Sequence, residues 1–355
     1  MDHQPNPVQE TLYQYLPLES TRHIRLISLI STPDGTASCQ IEHFNLSHLP
    51  PYNALSYVWG SSDKPERISC IGAGYIPITV SLCEALGNLV NLQEGGRFWI
   101  DAVCINQEDV AERNHQVTLM GAIYREASMV ITYIGPGSTE TYTGMILAQQ
   151  LAHYYNETSS EPIDLRIHQP AKFTELGLPP ADDPSWGCLR SVVQLPWSSR
   201  VWIVQESVLN DNISMMCGMV MLPWEMLAVM VDLVLKQRLP LQAIVDEDTG
   251  AHIATDRVII MKGLRDFSRK DGGLNKTLLQ LLRNCHVFES TDPRDKVYAM
   301  LGIAKDAEEL GIVPDYEVSV RDVYVGAAVR ILEVESSLDL FSDVCSQKSV
   351  LLPSW

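Results

Sequence analysis

Residues 22–30 (RHIRLISLI) are dense in β-branched and aliphatic side chains, a Pro33-Asp34-Gly35 turn follows, and 40–46 (QIEHFNL) alternates apolar with polar positions. That pattern predicts a β-hairpin. After Pro50-Pro51, residues 53–58 read as another strand ending at Trp59-Gly60, and 67–79 as a second hairpin about Ala73-Gly74. The chain then changes period. Leu82, Ala85, Leu86 and Leu89 recur at helical spacing behind Ser81, which predicts a helix to about Leu92 capped by that serine. Residues 98–103 (FWIDAV) form an apolar run suited to a buried strand except for Asp101, and Asn106 is placed to cap the next helix, with Glu108 and Asp109 in its first turn. That helix carries Val117, Met120, Ile123, Tyr124 and Ala127 on one side, and 129–134 (MVITYI) is a strand closed by Gly135-Pro136-Gly137. Strand, helix, strand at this length is a βαβ crossover, so 98–103 and 129–134 are expected to be parallel and adjacent or nearly so.

Further along, 144–155 reads as helix, 156–184 as an irregular insertion, 185–193 as helix and 200–209 (RVWIVQESVL) as helix. Residues 213–219 suit a strand and 223–236 a strongly apolar helix, after which 253–267, 274–283, 296–301 and 318–335 are mostly helical. The expected organisation is a domain over 1–210 with an insertion at about 138–195, followed over 211–355 by a mainly helical extension packed on it.

Charge narrows the function classes. The 355 residues hold 26 basic and 44 acidic side chains, a formal net charge of −18, which repels nucleic-acid backbones and anionic membrane surfaces. Neither a secretory leader nor a membrane span is expected, since the most apolar stretch, 226–235, is short and contains Asp232. The eight cysteines are widely spaced and read as reduced thiols of a cytoplasmic protein, with no metal or organic cofactor expected.

Candidate chemistry concentrates in two places. Asp101, Cys104, Asn106 and Gln107 stand at the carboxyl end of a predicted parallel strand, where open α/β sheets place ligand crevices. The same residues could equally satisfy backbone groups at a strand-helix junction. A Cys104 nucleophile with His115 as base has poor geometry, because the histidine lies about three helical turns away. Gly72-Ala73-Gly74 and Gly135-Pro136-Gly137 lack a phosphate-loop lysine or a third glycine and read as turns. Glu206 is the second place. It shares a helix face with Trp202, four residues earlier, and Arg200 and Gln205 are close by. On a largely apolar helix such a glutamate is either an exposed edge or points into a crevice beside an aromatic wall. The crevice reading expects Trp59 or Gly60 to stand near Asn106.

Three ordered blocks carry a family resemblance: 52–60 (YNALSYVWG); 98–107 (FWIDAVCINQ) with Glu112-Arg113, Gln116, Met120, Ile123-Tyr124 and Ala127; and 200–206 (RVWIVQE). They resemble the signature of the fungal heterokaryon incompatibility (HET) domain, over about residues 22–210. Residues 292–298 (DPRDKVY) and 314–316 (PDY) resemble the segment that commonly follows, and 352–355 (LPSW) resembles an internal motif, which implies a natural chain continuing past Trp355. The family is associated with non-self recognition and programmed cell death, and is distantly similar to Toll/interleukin-1 receptor (TIR) domains. The resemblance implies a flavodoxin-like parallel sheet with flanking helices, here with added N-terminal hairpins. It also implies NAD+ glycohydrolase activity with Glu206 as catalytic carboxylate and Tyr57, Trp59, Gly60, Asp101, Asn106, Gln107, Arg200 and Trp202 around the substrate. Expected partners are NAD+ or a related nucleotide, further copies of the chain and an incompatibility partner protein. The alternative is a non-enzymatic death-signalling module acting through homotypic contacts.

Overall fold

A computed structural model describes residues 11–33, 35–93, 95–157, 170–193, 196–235, 256–270, 274–336 and 340. Strands β1 (His23–Ser31) and β2 (Ala37–Asn45) form the first hairpin, and β4 (Glu66–Cys70) and β5 (Gly74–Ile78) the second. With β3 (Asn53–Tyr57), β6 (Arg97–Trp99), β7 (Met129–Gly135), β8 (Ile213–Cys217) and β9 (Val220–Pro223) they make one mixed nine-stranded sheet, ordered β5-β4-β2-β1-β6-β3-β7-β8-β9. β6, β3, β7 and β8 run parallel, so the two strands of the expected crossover are parallel with β3 between them. The hairpins extend this sheet through the antiparallel β1–β6 pairing and do not form a separate layer. At the turn of the second hairpin Gly74 (φ +102°) lets the backbone of Thr11 approach where a side chain would collide, and Tyr75 N–H donates to Thr11 O at 3.0 Å.

Helices fill the crossovers: α1 (Val80–Leu92), the single turn α2 (Asp101–Cys104), α3 (Val110–Glu126), α4 (Thr139–Glu157), α5 (Pro170–Glu175), α6 (Cys188–Val193) and α7 (Trp202–Val208). After the sheet come α8 (Trp224–Leu235), α9 (Asp256–Lys270), α10 (Leu278–Asn284), α11 (Asp295–Leu301), α12 (Ala307–Leu310) and α13 (Val320–Glu335). The start of the helix expected from 253, the 352–355 motif and Cys345 lie outside the described residues.

Local hydrogen bonding corrects several expectations. Thr79, not Ser81, caps α1 by accepting from Leu82 N–H (3.3 Å), while Ser81 Oγ donates to Val58 O (2.7 Å). Asp109, not Asn106, caps α3, accepting from Glu112 N–H (3.0 Å). The strand expected over 98–103 stops at Trp99, because Asp101 Oδ1 accepts from Ala102 N–H (2.7 Å) and Ile105 N–H returns to Asp101 O (3.2 Å), which closes a helical turn. Residues 170–193 of the insertion are more ordered than their sequence suggests: Phe173 and Trp186 are buried edge to face at 6.2 Å, and Trp186 Nε1 donates to Pro180 O (2.8 Å). Isolated aromatic anchors do this without any periodicity. β9 has no counterpart among the predicted elements.

Arg25 on β1 has no solvent exposure. Its guanidinium grips Glu112 of α3 through Nη1–Oε1 (2.5 Å) and Nη2–Oε2 (3.0 Å), and also donates to Cys104 O (3.0 Å) and Leu16 O (2.7 Å). Glu112 Oε1 in turn accepts from Asn106 N–H (2.7 Å). A bidentate pair whose two Nη groups also donate to backbone carbonyls offsets much of the desolvation of both charges, although Arg25 Nε is buried without a partner, whereas losing one partner strands the other. Glu112→Gln should therefore lower unfolding stability by about 3–5 kcal/mol, read as a shifted denaturant midpoint at unchanged m-value. A loss within that of an ordinary surface substitution would disprove this role.

Candidate active site

The carboxyl ends of the parallel strands open into a cavity of about 600 Å³. β3 runs into Val58, Trp59 and Gly60, and β6 into Asp101 at the start of α2; the two exits meet where Trp59 Nε1 donates to Asp101 Oδ2 at 3.0 Å. Gln107 lines the cavity from the loop after α2, held by its Nε2 donating to Asp101 O (2.8 Å). The opposite side is α7 with the residues before it, contributing Ser199, Arg200, Trp202 and Glu206. Glu206 and Asp101 thus open into one cleft.

Glu206 is only 3% exposed, and Ser56 Oγ on β3 donates to its Oε2; Trp197 Nε1 donates to that hydroxyl in turn (3.3 Å). α7 is fixed at Gln205, which is buried and wedged so closely against Gly121 of α3 and Gly302 after α11 that a side chain at Gly302 would collide with it. Burial pushes the Glu206 carboxyl above its ordinary range; Arg200, Ser56 and Tyr124 oppose the shift, and the Asp101 carboxylate adds to it. Asp101 is likewise lifted by burial against the pull of Arg200, Trp59 and Ala102 N–H. Arg200 is the cation shared by both. It forms no direct ion pair among the described residues, and its Nη1 donates to Tyr57 O.

Sequence reasoning missed the third wall. Residues 289–292, Asp295 and Tyr316 face the same cavity, as do Arg113, Val117 and Met120 of α3. A short backbone pairing brings them there: Val201 N–H donates to Glu289 O (2.8 Å) and Glu289 N–H to Ser199 O (2.6 Å). Tyr316 Oη donates to Asp295 Oδ1 (2.6 Å), and burial lifts the Asp295 carboxyl against Tyr316, Trp202 and Arg200. The DPRDKVY and PDY motifs hold these residues, and the i, i+4, i+7 spacing of Arg113, Val117 and Met120 marks one helix face. Of the sequence-predicted site, Trp59, Gly60, Asp101, Gln107, Arg200, Trp202 and Glu206 line the cavity. Tyr57 and Asn106 are not among the lining residues. Tyr57 is a core residue that offers its carbonyl to Arg200, and Asn106 Oδ1 accepts from Glu108 N–H (3.3 Å). Among the described residues no cluster of three metal-ligating side chains occurs, and no helix is long and apolar enough to cross a membrane.

Residues 52–206 match the family model described as heterokaryon incompatibility protein (HET). Over 89% of its length the chain is 28% identical to "Heterokaryon incompatibility protein 6, OR allele" of Neurospora crassa, and it spans 52% of that relative. No solved structure matches the chain.

The lifted carboxyl sets a pH signature. With its folded-state value above its unfolded one, native Glu206 keeps a proton that the unfolded chain releases, so its contribution is fully present below the unfolded value and is lost as pH rises through the folded one. Glu206→Gln cannot titrate. Its melting temperature relative to wild type should therefore climb from near parity at about pH 4 to a gain at about pH 8, measured by scanning calorimetry. A difference that does not vary with pH would show that Glu206 is not desolvated.

Proposed function

The chain is a HET-domain protein, and on that premise we propose that it is a fungal non-self recognition and cell-death effector whose pocket hydrolyses NAD+ to nicotinamide and ADP-ribose. The observation that carries the reading is Glu206, a buried carboxylate facing one cavity together with Asp101, Arg200 and the indoles of Trp59 and Trp202. A TIR-like, flavodoxin-like core is supported by strand order. Counted along the chain, the parallel strands β3, β6, β7 and β8 stand as 2-1-3-4, the sequence of a doubly wound sheet whose ligands bind at the carboxyl ends.

The chemistry asks little of a proton donor. Nicotinamide in NAD+ is already cationic and departs neutral, taking the electron pair of the broken C1′–N bond. Positive charge develops at the ribose C1′, and a water oxygen then bonds to that carbon and gives its proton to solvent. Glu206 stands where a carboxylate can stabilise that charge. In a pocket that disfavours the ionised acid, an incoming cationic ring favours it, so substrate and carboxylate offset one another's desolvation. Trp59 and Trp202 supply flat walls, with the Trp59 indole held by Asp101.

Nicotinamide release by concentrated or artificially oligomerised full-length protein tests the reading, since assembly brings copies of the chain together. Glu206→Gln keeps size and hydrogen bonding while deleting the charge. It should slow cleavage by several orders of magnitude, about 3–5 kcal/mol of transition-state stabilisation. If assembled wild type leaves NAD+ intact while Glu206→Gln still abolishes killing, Glu206 acts by another route than catalysis and the protein signals without hydrolysing NAD+.

A further inference from the structure

We propose that Arg113, backed by Tyr316, forms an anion-recognising pole of the cavity that takes the diphosphate of the dinucleotide. The inference rests on the pocket being a nucleotide site and adds how the substrate is oriented in it.

Arg113 points from the cavity-lining face of α3, with its guanidinium carbon 4.7 Å from the centre of the Tyr316 ring. Its Nε is shielded from solvent yet has no hydrogen-bond partner, and among the described residues its side chain forms no ion pair. The nearby acid is already committed elsewhere. Asp292 accepts from Arg294 Nε (2.9 Å) and Nη2 (2.6 Å), and Arg294 spends its Nη1 on Tyr316 O (2.6 Å) and Val318 O (2.7 Å). Arg200, the other lining arginine, sits in the field of Asp101, Glu206 and Asp295 and is bonded to Tyr57 O. Arg200 is therefore a cation among carboxylates, whereas Arg113 is a planar cation with unused N–H groups.

A planar guanidinium stacked on an aromatic face is oriented for two parallel hydrogen bonds, the geometry that phosphate oxygens accept. Attraction to the ring holds the cation beside Tyr316 without using its N–H groups. NAD+ carries the matching polarity: a cationic nicotinamide ribosyl group at one end and a doubly charged diphosphate further along. Placing the diphosphate on Arg113 directs the ring toward Glu206.

The test uses the full chain carrying Glu206→Gln, so that ligands are bound and not consumed, with titration calorimetry of NAD+ and ADP-ribose. Adding Arg113→Gln should weaken both by about 10- to 100-fold, the range for losing a charge-assisted pair. Arg113→Lys, which keeps the charge, should recover part of the loss. Equal loss in the Lys and Gln variants with a lowered melting temperature assigns Arg113 a structural role and overturns the proposal, as does unchanged affinity or a parent that binds neither ligand. The two readings fail separately. Arg113-dependent ADP-ribose binding with no NAD+ turnover by wild type keeps the pole and removes the hydrolase, whereas turnover with an unchanged KM in Arg113→Gln keeps the hydrolase and removes the pole.

Discussion

The buried Arg25–Glu112 pair is the constraint around which the pocket is assembled. Arg25 reaches the residues before β1, the turn after β6 and the first turn of α3 in one group of hydrogen bonds, so the start of the chain and the stretch around 104–112 cannot shift independently. Neighbouring positions on a helix face different ways. Glu112 turned inward to Arg25 leaves Arg113 turned toward the cavity, and the same contact seats the Asp101–Gln107 turn under Trp59.

The pocket opposes stability where the clamp supports it. Three carboxyls, Asp101, Glu206 and Asp295, are all lifted by burial around a single Arg200. An apolar core of the same volume would hold better. Perturbed acids gathered in a cleft are the arrangement that active sites share, and the rest of the fold carries the cost through a large continuous core.

Much of the fold was readable because hydrophobic period is a local signal. The hairpins, β3, β7 and the apolar α8 follow from residues that neighbour one another in sequence. Strand order was not readable in that way: β1 sits between β2 and β6 through contacts whose cause is non-local packing. α2 was hidden because FWIDAV is apolar enough for a strand, and only the Asp101 hydrogen bonds decide otherwise. In the site, Trp202 and Glu206 were legible from spacing on one helix. Asp295 and Tyr316 were not, since nothing near Glu206 in sequence announces a wall built by the Ser199–Glu289 pairing. Arg113 was named within the second block but given no place in the site, because the helix face was read from its apolar residues.

The place of β1 in the sheet also bears on what counts as a portable unit. The matched segment begins at residue 52, after both strands of the first hairpin, and ends at 206, before β8 and the 289–316 wall. Cut at those limits, β6 and β7 would each lose a partner and present bare backbone to other chains, Glu112 would be buried without its cation, and the cleft would stand open on one side. The stretch matched by the family model is thus smaller than the set of elements that completes the sheet and walls the cleft.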